Sequence, residues 1–178
     1  MKNVLVWDTE TTGLPLHPAA ALALQPHVIE FGCAILSGKT GKLIETREWL
    51  INPGVPLPPI ITKITGITSE DLQGKPSFAA AWPAIAATFT ECGLAIAHNE
   101  PFDHSMIEFE LTRLGQTDFI WPKRLCTIGL FRGAFGYDMK LTDLYANVTG
   151  RTLDQKHRAA GDVSALVEIV QEGGLWKL

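Results

Sequence analysis

The sequence begins with an apolar run that constrains the fold more than any other segment. Val4–Trp7 is continuously hydrophobic, and Asp8, Glu10 and a Thr-Thr-Gly turn follow it directly. A short uninterrupted apolar run of this kind is typical of a central strand that is covered on both faces. We therefore predict a buried strand that ends at two acidic side chains.

The remaining segments predict a mixed α/β architecture. Further strands are indicated over 28–36, 45–51, 93–97 and 124–126. Helices are indicated over 68–72, 77–91, 102–114, 127–131, 141–149 and 159–172. Three successive strands followed by alternating helices and strands predict a mixed five-stranded sheet flanked by helices.

Three local features bear on these predicted helices and loops. Four prolines in segment 52–59 argue against regular structure there. Pro83 predicts either a kink or a break in its helix, and the sequence does not decide between them. Asn99 is expected to cap the next helix and Pro101 to occupy its first turn, which also places Asp103 in that turn.

Length and composition predict a folded protein with one domain. The chain has 178 residues, of which 46% are hydrophobic and 19% are charged, and we expect a single domain over 1–178. The apolar run directly before Asp8 has only four residues, too few for a secretory signal, and no run approaches a membrane span. We therefore expect a cytoplasmic protein without a membrane partner. An odd number of widely spaced cysteines argues against disulfides and a zinc cluster.

The net charge argues against an extended basic surface that binds a long stretch of nucleic acid. A formal charge of −4 gives no overall attraction to a polyanion, so phosphate contacts would be local and a metal ion would assist them. Scattered basic residues could contact phosphates or could simply solubilise the surface. They are Lys123, Arg124, Arg132, Lys140, Arg151 and Lys156 to Arg158.

Acidic residues and histidine recur where predicted elements begin or end. Asp8 and Glu10 follow the first strand, Asp103 opens a helix, and His157 precedes Asp162 by five residues. Taken singly, each group also fits a solvated turn or a favourable charge at a helix start. Together they predict carboxylates that meet at one sheet edge, where divalent metal would relieve their repulsion.

These clusters form an ordered set of motifs that resembles the DEDDh exonuclease family, which includes the proofreading subunit of the bacterial replicative polymerase. The motifs are Asp-x-Glu-Thr-Thr-Gly from Asp8, His-Asn-x-x-Phe-Asp from His98, and His-x-Ala-x-x-Asp from His157. Thr65-Gly66-Ile67 also looks like a loop motif of that family. The resemblance extends from about residue 4 to residue 170.

The resemblance implies a ribonuclease-H-like fold and a two-metal hydrolysis. It implies that Asp8, Glu10, Asp103 and Asp162 bind two divalent ions, Mg²⁺ with Mn²⁺ as a substitute, and that Asp103 acts largely through bound water. It assigns His157 as the general base. Two such ions about 3.5 to 4 Å apart can stabilise both oxygens of an in-line phosphodiester displacement. The substrate-binding positions that it implies are Thr11, Gly13, Leu14, Ile67, His98, Asn99 and Phe102.

The function that these expectations favour is 3′–5′ exonucleolytic release of nucleoside 5′-monophosphates from single-stranded or frayed DNA. RNA ends are the alternative substrate, and a DNA polymerase or replication complex is a possible partner. Less favoured are a haloacid-dehalogenase-like phosphatase and an inactive scaffold in a replication complex. The segment 15–25 looks like an insertion, which could be a lid, a partner contact or a packed helical turn. We favour packing.

Overall fold

A computed structural model describes residues 2–155 and 157–178, and its centre is a five-stranded sheet. The strands are β1 (Asn3–Thr11), β2 (Val28–Leu36), β3 (Leu43–Leu50), β4 (Cys92–Ala97) and β5 (Lys123–Cys126). Their order in the sheet is β3-β2-β1-β4-β5. The first three pair antiparallel, whereas β4 runs parallel to both β1 and β5. The predicted mixed five-stranded sheet is confirmed.

Seven helices accompany the sheet within the described residues. They are α1 (Pro59–Thr65), α2 (Ser69–Leu72), α3 (Phe78–Thr90), α4 (Glu100–Leu114), α5 (Thr127–Phe135), α6 (Leu141–Thr149) and α7 (Ala159–Glu172). The sequence predicted all of them except α1, which begins at the last residue of the proline-rich segment. Proline is well accommodated in a first helical turn, so Pro59 starts this helix rather than preventing it.

The side chains of β1 alternate between two apolar cores on opposite faces of the sheet. Leu5 and Trp7 pack with α3 and α4, whereas Val4 and Val6 pack with α6 and α7. The strand also extends further than predicted, through the acidic residues to Thr11, because its pairing with β2 continues there. Asp8 and Glu10 consequently share the face that α7 covers.

Two details of the predicted helices are settled by the structure. Helix α3 continues through Pro83, whose side of the helix is exposed, so of the two alternatives that the sequence left open, the break does not occur. Asn99 does precede α4, but the expectation that its side chain caps the helix is wrong. Its backbone adopts the left-handed conformation (φ 61°), which asparagine tolerates, and its side chain makes no capping hydrogen bond.

The insertion 15–25 is irregular apart from one 3₁₀ turn at Leu22–Leu24. Arg113 of α4 donates hydrogen bonds to the carbonyls of Leu22, Gln25 and Pro26. The buried side chain of Gln25 accepts a hydrogen bond from the backbone nitrogen of Leu16 at 2.9 Å. These contacts agree with the packing interpretation of the segment.

The three cysteines are free thiols, as predicted. Within residues 2–155 and 157–178, none of the helices has both the length and the apolar character needed to cross a bilayer.

Candidate active site

Three carboxylates from two distant parts of the chain converge beside the end of β1. Asp8 and Glu10 project from the strand toward α7, and Asp162 lies in the first turn of that helix. One oxygen from each of the three lies within 4.8 Å of the others. The predicted convergence of the first and last motifs is therefore present in the fold.

The electrostatics of this cluster favour protonation when no cation is present. Burial raises the pKa of Asp8 well above its usual value, and the charges of Asp103, Glu10 and Asp162 raise it further. Burial, followed by the charges of Asp162 and Glu30, raises the pKa of Glu10 to about 8. Burial also raises the pKa of Asp162. A bound cation would reverse this preference, because it stabilises the ionised carboxylates.

Asp103 is not one of the three carboxylates that lie within 4.8 Å of one another. It belongs to α4, on the opposite face of the sheet from α7, and its Oδ1 accepts hydrogen bonds from the backbone nitrogen and the hydroxyl of Thr9. Burial raises the pKa of Asp103 to about 7, and the two hydrogen bonds from Thr9 act in the other direction. Among the neighbouring charges that raise the pKa of Asp8, the charge of Asp103 has the largest effect.

His157 is exposed and lies two residues before the start of α7. Its backbone has a φ of 46°, an uncommon conformation for a residue other than glycine. Burial raises the pKa of Asp162, and this rise is partly offset by the hydrogen bond that Gln155 donates to Asp162 Oδ2 at 2.9 Å and, to a smaller extent, by the nearby His157. The intervening Lys156, which the sequence suggested as a phosphate contact, lies outside the described residues.

A shallow apolar pocket adjoins Glu10. Its volume is about 250 Å³, and its lining residues are Thr9, Glu10, Thr11, Gly13, Leu14, Ile61, Ile64, Thr65 and Phe102. Four of the predicted substrate-binding residues are in this set, namely Thr11, Gly13, Leu14 and Phe102.

The other three predicted substrate-binding residues lie elsewhere. Ile67 is 1% exposed and packs in a small core with Ile61, so Ile61 rather than Ile67 reaches the pocket. His98 is half-buried and hydrogen-bonded through Nδ1 to Thr127 Oγ1 at 2.8 Å. Asn99 is exposed and does not line the pocket.

Sequence reasoning missed several residues that shape this region. Thr9, Gln155, Ile61 and Ile64 carry no distinctive pattern, and only the folded chain brings them to the site. Glu30 did carry a signal, because it is the one charged residue in the otherwise apolar strand 28–36. A charge in such a run is buried only when it has a partner. In the structure it is fully buried and bonded to Arg158.

All four arginines suggested as phosphate contacts already have acidic partners. Arg124 pairs with Glu100, Arg132 with Asp138, Arg151 with Glu168 and Glu172, and Arg158 with Glu30 and Glu48. Each would have to give up or share an ion pair to bind phosphate.

The donor set suits a hard divalent cation. Asp8, Glu10 and Asp162 offer only carboxylate oxygens, which are the ligands preferred by Mg²⁺ and Mn²⁺. Among the residues that the structure describes, neither lysine nor arginine forms an ion pair with any of the three. The cluster therefore fits a metal centre.

Comparison with known proteins identifies the family. The family model described as Exonuclease (RNase_T) matches residues 5–170. The chain belongs to this exonuclease family. The resemblance to DnaQ-like 3′–5′ exonucleases drawn from the three motifs is thereby confirmed, and the alternative of a haloacid-dehalogenase-like phosphatase is wrong.

Two relatives illustrate the range of this exonuclease family. The chain is 31% identical over 167 residues to the PolC-type DNA polymerase III of Caldanaerobacter subterraneus subsp. tengcongensis, covering 93% of this chain and 11% of that protein. It is also 31% identical over 179 residues to the DNA polymerase III subunit epsilon of Rickettsia prowazekii, covering 93% of this chain and 71% of that subunit. The chain thus spans only about a tenth of the PolC-type protein.

Structural comparison supports the same fold. A structure described as 3′-end specific recognition of histone mRNA stem-loop by 3′-exonuclease superimposes with a TM-score of 0.78 at 14% identity, covering 98% of this chain and 82% of that one. The ribonuclease-H-like fold predicted from the motifs is confirmed.

Proposed function

We propose that this exonuclease domain, extending over residues 1–178, hydrolyses phosphodiester bonds from the 3′ end and releases nucleoside 5′-monophosphates. The observation that carries the proposal is the convergence of Asp8, Glu10 and Asp162 within 4.8 Å, next to an apolar pocket that could receive a terminal base. Family membership supports the same reaction.

Asp8, Glu10 and Asp162 would hold the divalent ions in this mechanism, with Asp103 contributing through water. When bound, Mg²⁺ or Mn²⁺ would supply Lewis-acid stabilisation of charge at the scissile phosphate. The carboxylates themselves fix the cation site on rigid elements, two on β1 and one on α7, so the reacting phosphate meets a prearranged environment.

His157 is the proposed general base. Its exposed position beside Asp162 leaves the imidazole free to meet a water that approaches the phosphate from solvent. Imidazole is suited to accept a proton near neutral pH. The hydroxyl that remains attacks phosphorus, the bond to the 3′ oxygen of the penultimate nucleotide breaks, and that oxygen then takes up a proton.

The pocket beside Glu10 is the proposed site for the terminal nucleotide. Leu14 and Ile64 are exposed apolar side chains at its rim, and Phe102 offers an aromatic face. Stacking on such a surface tolerates any base, because every base has an apolar face. This supports removal of nucleotides without strong sequence preference.

We infer that DNA is the preferred polymer, because the curated relatives are named as DNA polymerase III proteins. The structural neighbour whose description includes histone mRNA favours RNA as the second candidate. Discrimination would depend on contacts with the 2′-hydroxyl. A polymerase or replication complex as partner, and a cytoplasmic location, remain predictions from the same relatives and from the sequence.

The decisive experiment follows digestion of 5′-labelled single-stranded DNA, RNA and mismatched duplex with Mg²⁺, with Mn²⁺ and with chelator. We expect ladders that shorten from the 3′ end only when metal is present, with DNA degraded faster than RNA. His157→Ala and Asp8→Ala should abolish turnover while the fold is retained. An Asp8→Ala variant with full activity would refute the metal assignment, and an inactive wild-type protein would instead favour the scaffold alternative.

A further inference from the structure

Helix α7 rests on β2 at the two residues that lie opposite Asp8 and Glu10. In the β1–β2 pairing, Gly32 faces Asp8 and Glu30 faces Glu10. A Cβ atom on Gly32 would lie only 2.9 Å from the carbonyl carbon of Ala159, the first residue of α7. The helix therefore approaches the sheet as closely as glycine allows, directly beside the acidic residues of β1.

Glu30 attaches the start of α7 to this surface. Its carboxylate is 0% exposed and accepts hydrogen bonds from Arg158 Nε at 3.0 Å and from the backbone nitrogen of Ala159 at 2.7 Å. Arg158 also donates to Glu48 at 3.1 Å, at the exposed rim. A buried carboxylate is tolerated only with such partners, so the Glu30–Arg158 ion pair supports this packing.

Arg158 lies between two residues of the active site. His157 precedes it, with its uncommon backbone conformation, and the carbonyl of Arg158 accepts the backbone hydrogen bond of Asp162 at 2.9 Å. The ion pair fixes the guanidinium of Arg158 to β2. It therefore restrains both His157, the proposed base, and Asp162 of the acidic cluster.

We propose that Glu30 and Arg158 are positioning residues for the hydrolysis, which set the placement of Asp162 and His157 relative to Asp8 and Glu10. This inference rests on the proposed function. Neither residue touches the reacting phosphate in this account. They act by fixing the first turn of α7 on the strand that pairs with β1.

A purely electrostatic role is the main rival explanation, and the two make opposite predictions. Glu30 adds negative charge near the acidic cluster and Arg158 adds positive charge. If only their fields mattered, neutralising Glu30 would weaken cation binding and neutralising Arg158 would strengthen it. If positioning matters, each neutral variant weakens cation binding, because each releases the start of α7.

The test compares Glu30→Gln, Arg158→Gln and the double variant with wild-type protein. Calorimetric titration with Mn²⁺ alone gives the dissociation constant, and digestion of 5′-labelled DNA gives kcat and KM. Arg47→Gln is the matched control, because Arg47 of β3 also forms ion pairs, with Glu45 and Glu91, but neither partner lies on α7. Circular dichroism melting establishes that each variant is folded.

We expect both single variants to weaken Mn²⁺ binding and to lower kcat by about 10- to 100-fold, as is typical for residues that orient metal ligands. KM for DNA should change little. The double variant should be no worse than the poorer single variant, since both changes break one interaction. Arg158→Lys should recover part of kcat, and Arg47→Gln should leave kcat unchanged.

Effects of opposite sign on Mn²⁺ affinity, or unchanged affinity and kcat in folded variants, would overturn the proposal. If Glu30→Gln fails to fold, Arg158→Gln and Arg158→Lys still test the positioning role. The side chain of Arg158 is 39% exposed, so its replacement is more easily tolerated. A wild-type protein that degrades no 3′ end refutes the proposed function itself. An active wild type with equally active Arg158→Gln refutes only the positioning role.

Discussion

Thr9 donates two hydrogen bonds to one oxygen of Asp103, from its backbone nitrogen at 3.0 Å and from its hydroxyl at 2.7 Å. Thr9 lies between Asp8 and Glu10 on β1, but its side chain points to the other face of the sheet. The fourth acidic residue of the motif set is thus attached to the strand that carries the first two.

Thr9→Val removes the hydroxyl but keeps a side chain of similar shape. It should loosen the attachment of Asp103 to β1. We expect kcat for DNA digestion to fall about 10-fold. Loss of one partner of a buried hydrogen bond should lower the free energy of unfolding by about 1 to 3 kcal/mol. Thr88→Val is the control, because Thr88 is also buried and donates a 2.7 Å hydrogen bond, to the carbonyl of Ile85 in α3. Equal losses of kcat in the two variants would contradict a specific role for Thr9.

Gly32→Ala should displace the start of α7, because the added methyl group would meet the backbone of Ala159 at 2.9 Å. Overpacking of this kind typically costs about 1 to 3 kcal/mol of stability. We also expect Mn²⁺ affinity to fall, since Asp162 moves with the helix. Gly133→Ala in α5 serves as control, because no atom lies within 4 Å of its added methyl group. A folded Gly32→Ala protein with wild-type affinity would show that the close packing does not set the site.

The rim of the pocket should contribute to binding rather than to chemistry. Ile64→Ala or Leu14→Ala removes apolar surface from a pocket proposed for the terminal base. A loss of about 1 kcal/mol would raise KM for single-stranded DNA roughly fivefold at unchanged kcat. Ile120, which is 86% exposed and outside the pocket, provides the control variant Ile120→Ala. A fall in kcat with unchanged KM would argue against a binding role.

The raised pKa of Glu10 predicts an unusual pH dependence of stability. Folding raises this pKa from 4.5 to about 8, so the folded state holds a proton that the unfolded state releases. Its contribution to stability is complete below pH about 4.5 and is lost as pH rises toward about 8. Without metal, the free energy of unfolding should therefore fall over this range, and Glu10→Gln should make the fall smaller.

Divalent metal should oppose the loss of stability at higher pH, because it binds the ionised carboxylates and adds binding free energy to the folded state. Thermal melts at pH about 5 and about 8, with chelator and with Mn²⁺, measure both effects. We expect Mn²⁺ to raise Tm more at the higher pH. Equal stabilisation of wild-type protein and Glu10→Gln at both pH values would show that Mn²⁺ binds elsewhere.

Much of the fold could be predicted because its strongest patterns are local. The apolar run of β1, the predicted limits of β2 and the final helix α7 all agree with the structure. The continuation of β1 through Asp8 to Thr11 was missed because strand pairing, rather than side-chain polarity, determines where a strand ends. Helix α1 was not predicted because proline disfavours a helix interior, whereas Pro59 occupies the first turn, where it is tolerated.

The candidate site was predictable only as a set of motif residues. Spacing in the sequence identified Asp8, Glu10 and Asp162, whose convergence follows from strand alternation and the placement of α7. It gave no indication that Asp103 would bond to Thr9, or that Ile61 rather than Ile67 would face the pocket. Those relationships depend on packing between distant segments, which a single sequence does not specify.

The most direct test of the central claim is a crystal structure of the protein soaked in Mn²⁺, with anomalous scattering used to locate the ion. We expect an anomalous peak between Asp8, Glu10 and Asp162, at about 2.0 to 2.2 Å from their carboxylate oxygens, and loss of that peak in Asp162→Asn crystals. No peak at this position under saturating Mn²⁺, or an unchanged peak in the variant, would contradict the assignment of these carboxylates as the metal centre.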